Sequence, residues 1–191
     1  MKYFYLLSLL LVTLISCAKK YEIAQIKTPQ GEILVWLNDE TPVHKASFIQ
    51  LAKAGYWDSL TFNRVIPDFV AQGGCPDTPE GFTDKEMLLS PEFNPTLLHE
   101  YGAFGAGRDG NPEMLSARCQ FYIVQNKNGI ARLDQKFTIY GKVIKGMDVV
   151  DNIVNIPRDK ADAPLTPVNM DVNIIKKNKK VLVKMGLSRY M

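Results

Sequence analysis

The sequence predicts a mainly β domain, an antiparallel barrel or sandwich with two short helices. Three observations carry that prediction. Short runs of β-forming residues recur along the chain, separated by Gly-, Pro- and Asp-rich turns. Only two segments have helical spacing of apolar residues, and no internal repeat or second domain is evident. The chain has 191 residues, 46% of them hydrophobic and 23% charged, which suits one globular domain with its own core.

Taken in order, the chain opens with Lys2 and an apolar run from Tyr3 to Ile15. That run is too short to span a bilayer comfortably but matches the core of a signal peptide. It ends in Leu14-Ile15-Ser16-Cys17, which resembles the lipobox of bacterial lipoproteins. The resemblance implies a signal peptide over 1–16, lipidation at Cys17, and a short tether over 17–20. Several acyl chains on one residue give the stable attachment that one chain does not. Ala18 rather than an acidic residue follows the cysteine, so the expected location is the cell envelope, at the outer membrane and facing the periplasm.

Tyr21–Lys27 and Glu32–Leu37 read as a hairpin across Thr28-Pro29-Gln30-Gly31. Thr41-Pro42 supplies an N-cap and a first-turn proline for a helix over Val43–Ala54, with Ala46, Phe48, Ile49, Leu51 and Ala52 on its apolar face and Gly55 as its stop. A strand follows over Thr61–Gln72, closing on Gly73-Gly74. The alternating segment places Arg64 among apolar neighbours, where an unpaired charge is costly, so the arginine either has a structural partner or does chemistry. The segment from Cys75 to Tyr101 reads as a long loop. Further strands are expected at Ala103–Gly107, Gln120–Gln125, Thr138–Ile144 and Asp171–Ile175, with a second helix over Met147–Asn155. The lysines of 176–184 and Arg189 read as a solvated basic tail from 177 onward.

Several functions are excluded or disfavoured. A formal charge of +3 is too small to argue for nucleic acid. His44 and His99 lack ligand neighbours and no Cys/His cluster exists, so no metal or other cofactor is expected. Both histidines read as ordinary surface or core residues. Cys75 and Cys119 stand in an oxidising compartment if the export signal is used, but their spacing alone leaves pairing open.

Three blocks carry chemistry. They are Phe62-Asn63-Arg64-Val65-Ile66-Pro67 with Phe69-Val70-Ala71-Gln72-Gly73-Gly74; Gly102-Ala103-Phe104-Gly105-Ala106-Gly107-Arg108 with Cys119-Gln120-Phe121-Tyr122-Ile123; and Leu133-Asp134-Gln135-Lys136-Phe137 leading to Gly146-Met147-Asp148. In this order they resemble the signature of the cyclophilins, the peptidyl-prolyl cis-trans isomerases, over 21–176. The resemblance implies a closed eight-stranded antiparallel barrel capped by two short helices, usually monomeric. It implies Arg64 as the catalytic residue. Phe69, Val70, Tyr122 and Leu133 would form the proline pocket, Gln72 and Gln120 would hold the substrate or orient the arginine, and Ala106, Gly107, Arg108 and Phe137 would border the groove. Proline-containing segments of exported proteins are the implied partners.

The chemistry needs such residues. An X–Pro amide rotates against a barrier of about 18–20 kcal/mol because resonance must be lost. A fixed guanidinium can favour the pyramidal nitrogen of the twisted amide without a covalent step. The sequence departs from the family pattern at the rim. Arg132 stands where many members have tryptophan, Phe137 where many have histidine, and Gly107-Arg108 where Ala-Asn is common; Asn63 replaces a histidine. These changes argue against binding of cyclosporin-type ligands and for an altered preference around proline. The alternative reading is a proline-peptide binding module or chaperone with little turnover.

Overall fold

A computed structural model describes residues 19–58, 60–76 and 83–187. The lipobox and Cys17 lie outside the described residues. Strands β1 (Lys20–Thr28) and β2 (Gly31–Leu37) form the expected hairpin, and helix α1 (Pro42–Lys53) follows. Next come β3 (Thr61–Val65), β4 (Val70–Gly74), a short β5 (Leu88–Leu89), β6 (Ala103–Ala106), a short β7 (Ser116–Ala117), β8 (Gln120–Val124) and β9 (Ile139–Lys145). Helix α2 (Met147–Val154), β10 (Val168–Asn169), β11 (Asp171–Asn178) and helix α3 (Lys179–Lys184) complete the order.

The main sheet has nine strands in the order β10-β3-β4-β8-β6-β9-β2-β1-β11, every pair antiparallel. Its two edge strands are one chain segment interrupted only at Met170. Val168–Asn169 pairs with β3 while Asp171–Asn178 pairs with β1. That bent strand therefore bridges both edges and brings the sheet round into a nearly closed barrel, the expected architecture with β10 and β11 as two pieces of one strand. Among the described residues, closure leaves the main sheet no long free edge to pair with another chain.

Inside the barrel lies an aromatic core. Phe48 and Trp57, centroids 4.6 Å apart, meet Phe104, Phe121 and Tyr140. Alternation on β2 sends Ile33, Val35 and Leu37 into this core, while Leu34 and Trp36 face the other side. That outer side is covered by Leu182 and Leu187, so β2 is buried on both faces. The segment read as a solvated basic tail therefore divides. Its lysines at 179, 180 and 184 are exposed, but Asn178 caps α3 by accepting from Val181 N, and Leu182 is fully buried. A helix this short persists through packing rather than propensity.

Other expectations are corrected in detail. Thr61–Gln72 is not one strand but a hairpin turning at 66–69, with Asp68 at φ 56°. The long loop after Cys75 contains a 3-10 turn at Lys85–Met87 and β5, which pairs with β7 from the segment before β8. Thr41 precedes α1 but gives no side-chain cap. The cap comes from 49 residues away: Glu92 accepts from Val43 N at 3.0 Å. It also accepts from His44 N at 2.9 Å and faces His44 Nδ1 at 2.6 Å. Ala46 of α1 is exposed, while His44 and Ser47 sit on its buried face.

The pairing left open by spacing is settled. Cys75 and Cys119 form a disulfide, Cα atoms 5.5 Å apart and 44 residues apart in sequence. The Gly pair explains how the strands come so close there. At Gly74, φ +99°, a Cβ would lie 2.0 Å from the Cys119 carbonyl oxygen. That oxygen accepts from Trp57 Nε1 at 2.9 Å and Cys75 N at 3.2 Å. In the chain-entropy view, a crosslink over such a loop is worth about 4 kcal/mol.

Candidate active site

Alternation along four adjacent strands builds one row of side chains. Arg64 on β3 pairs in register with Gln72 on β4, Gln72 with Tyr122 on β8, and Tyr122 with Gly105 on β6. The neighbours Val65, Ala71 and Ile123 are fully buried, so they point into the barrel while the row faces out. Gly105 makes the row possible. A Cβ there would lie 2.3 Å from Tyr122 Cζ, so the absent side chain is the space the phenol ring occupies.

The β3–β4 turn sets Phe69. Ile66 N donates to Val70 O at 2.9 Å, closing the turn. Residues after β8 pin it from the side: Asp68 N donates to Gln125 Oε1 at 2.8 Å, Asn126 Nδ2 to Asp68 O at 2.7 Å, and Gln125 N to Phe69 O at 2.8 Å. Leu133 arrives on a 3-10 turn (Ala131–Leu133), and Phe137 follows from the loop before β9.

The result is a groove of about 350 Å³ lined by Arg64, Phe69, Val70, Gln72, Gly107, Arg108, Tyr122, Arg132, Leu133 and Phe137. Of the residues that the resemblance assigns to the catalytic and substrate site, all reach it except two, and Asn63 instead donates from Nδ2 to Gly74 O at 3.1 Å. Ala106 is buried on β6, and Gln120 is buried behind Gly107. A Cβ at Gly107 would fall 2.5 Å from Gln120 Oε1, so the glycine lets the Gln120 amide approach the loop backbone closely.

The groove floor is apolar: Val70 and Tyr122 belong to a cluster with Val124, Ile130 and Ile139, with Phe69, Leu133 and Phe137 packed on it. Arg64 is half-buried at its side, Nη1 3.4 Å from Gln72 Oε1. At the rim, the Arg108 guanidinium lies 4.4 Å from the Phe137 ring centre and that of Arg132 5.0 Å from the Phe69 ring centre.

Beneath the floor is a residue the sequence reading did not assign to the site. His99, 2% exposed, has Nε2 2.7 Å from the Tyr122 hydroxyl and Nδ1 2.8 Å from Asp134 Oδ1. Asp134 also accepts from His99 N at 2.8 Å. Burial lowers the His99 pKa against the opposing pull of Asp134. The ring is therefore neutral near pH 7: Nδ1 donates to the carboxylate and Nε2 accepts from the phenol. Burial raises the Tyr122 pKa, so its hydroxyl keeps the proton it donates. One signal was available in the sequence: a tyrosine in an apolar strand needs a polar partner for its hydroxyl.

The site is thus an apolar floor flanked by a half-buried guanidinium on the outside of a small antiparallel barrel. Solved structures share the fold. A cyclophilin-type isomerase from Cryptosporidium parvum, determined in the presence of the dipeptide Ala-Pro, superposes at a TM-score of 0.68 with 22% identity, over 82% of this chain and 99% of that one. A cyclophilin from Hirschia baltica gives 0.60 at 18% identity, over 82% and 76% of the two chains.

Residues 23–174 match the family described as cyclophilin type peptidyl-prolyl cis-trans isomerase. A peptidyl-prolyl cis-trans isomerase of Acinetobacter baylyi is 35% identical over 70% of this chain and 72% of its own length. One from Schizosaccharomyces pombe is 34% identical over 76% and 94%, and isomerase B of Bacillus subtilis 36% over 61% and 78%. The chain belongs to the cyclophilin-type peptidyl-prolyl cis-trans isomerase family.

Proposed function

We propose that the protein accelerates X–Pro rotation in exported polypeptides, without a covalent step, with Arg64 as the catalytic residue and Cys17 as a lipid anchor at the cell envelope. The observation that carries the catalytic part is the placement of Arg64 beside an apolar floor, next to Gln72. A proline ring seated on Phe69, Val70, Tyr122 and Leu133 presents its nitrogen to the guanidinium. Resonance loss on twisting makes that nitrogen pyramidal and basic, so a hydrogen bond from Arg64 is strongest at the top of the barrier. Arginine suits the role because its charge is permanent and its donors are planar. Gln72 limits the rotamers of Arg64, and the floor holds the ring while the preceding carbonyl swings.

The Ala-Pro dipeptide associated with the Cryptosporidium protein supports this class of substrate. Export is supported by the apolar leader with Leu14-Ile15-Ser16-Cys17 and by the Cys75–Cys119 disulfide, a crosslink that persists in oxidising compartments. Among the described residues no helix is long and apolar enough to cross a membrane.

Exchange NMR on an Ala-Pro peptide, with the full-length chain in mild detergent, tests the catalytic part. Acceleration by the native chain and its loss in Arg64→Ala are expected; an Arg64→Ala variant as fast as the native chain rejects the role of Arg64. Mass spectrometry of the protein extracted from membranes tests the anchor. A mature chain beginning at an acylated Cys17 is expected, and an unmodified Cys17 rules it out.

A further inference from the structure

We infer that the groove selects proline segments flanked by acidic side chains, recognised by Arg108 and Arg132; this rests on the proline-site reading above. Arg64, Arg108 and Arg132 line the same groove, and no Asp or Glu is among its lining residues. Among the described residues none of these arginines takes part in an ion pair. Arg108 is held by two backbone carbonyls and a ring face: Nε donates to Lys136 O at 3.2 Å, Nη1 to Asp109 O at 2.9 Å, and the guanidinium lies over Phe137. Its remaining Nη2 stays directed at no protein acceptor among the described residues. Arg132 is exposed and its contact is the Phe69 ring.

The carboxylates nearest in sequence are committed elsewhere. Asp134 accepts from His99 N and lies against its Nδ1, and Asp109 Oδ1 accepts from Asn111 Nδ2 at 3.0 Å. The rim thus presents two arginines already positioned by stacking and by backbone carbonyls, beside a third that faces the proline. A glutamate or aspartate within two residues of the proline meets donors whose geometry fits a carboxylate. A lysine or arginine there meets like charge, which discriminates by repulsion as much as by attraction. Each contact is partly solvated, so its share is modest. Two attractive contacts set against two repulsive ones give a preference of about tenfold for acidic over basic flanks at low salt.

The test uses the full-length chain in mild detergent and matched peptides of one length, each with a central Ala-Pro and either Glu or Lys at the two flanking positions on each side. Exchange NMR gives kcat/KM and fluorescence anisotropy gives Kd. Glu peptides are expected to lead Lys peptides in both, and the gap is expected to shrink as ionic strength rises. Arg108→Glu combined with Arg132→Glu is expected to reverse the order. Lys184→Glu, on α3 and away from the groove, makes a charge change of the same sign and is expected to keep the order. Equal values for the two peptide sets, or an order unchanged by the double reversal, overturns the inference. If a neutral Ala-Pro peptide is not accelerated at all, the catalytic reading falls instead, and the Kd comparison still decides the selectivity.

Discussion

The floor of the groove and its rim are built by different means. The floor is carried on four hydrogen-bonded strands, with Arg64, Gln72, Tyr122 and Gly105 in register. Its tyrosine is tied through buried His99 to Asp134. The rim is carried on connections: Arg108 follows β6, and Arg132 and Phe137 lie between β8 and β9. Rim side chains are held by ring faces and a few carbonyls rather than by sheet pairing. The floor is fixed by the same forces that fold the barrel, whereas the rim can change its residues at little cost to the fold. On the proposed reading, activity belongs to the first region and selectivity to the second.

That contrast can be broken or sharpened experimentally. The largest expected effect is at the floor: Arg64→Ala should lower kcat/KM by about a hundredfold with an unchanged melting temperature, as for loss of one preorganised donor. Arg64→Lys should recover little, because a point charge does not reproduce the fork. Gly105→Ala should cost about 1–3 kcal/mol in urea unfolding and weaken proline binding, since its methyl enters the space of the Tyr122 ring. Tyr122→Phe should cost about 1–2 kcal/mol, because the buried His99 Nε2 loses its partner. Retained stability in both variants would mean that the floor is as tolerant as the rim.

Smaller effects separate the regions further. Burial lowers the pKa of both His99 and His44 below the ordinary 6.5. The unfolded chain therefore binds more protons than the native one as pH falls through 6.5. Stability is full above that pH and declines below it, by up to about 1.4 kcal/mol per pH unit for each histidine. Urea midpoints measured from pH 7.5 to 5 check the sign, and His99→Gln should flatten part of the slope. At the other extreme, Arg132→Ala should change unfolding free energy by no more than about 0.5 kcal/mol, as an exposed side chain with one ring contact.

Much of the barrel was legible because its signals are local. Period-2 alternation, Pro29-Gln30-Gly31, Pro42 and Gly55 place strands, a turn and a helix from neighbours in sequence alone. The family blocks also brought nearly all the groove residues to attention. What escaped involves partners far apart in the chain. Glu92 caps a helix 49 residues earlier, and Gln125 and Asn126 pin the turn that presents Phe69. His99 meets Tyr122 and Asp134 from 23 and 35 residues away. The hairpin inside Thr61–Gln72 was missed because Val65, Ile66, Phe69 and Val70 look like one apolar run, whereas Pro67-Asp68 turns the chain.

By itself the sequence determined a small antiparallel β domain, its family, and an arginine placed among apolar groove residues, because alternation and turn chemistry act over a few residues. The tertiary structure alone decided the pairing of Cys75 with Cys119, the closure of the barrel through the bend at Met170, and the docking of Leu182 and Leu187 over Trp36. It also decided that Gln120 retreats behind Gly107 while Arg108 and Arg132 stack onto the rim. Each of these depends on which distant segments come within a few ångströms of one another, and that distance is set only when the sheet has curled round its core.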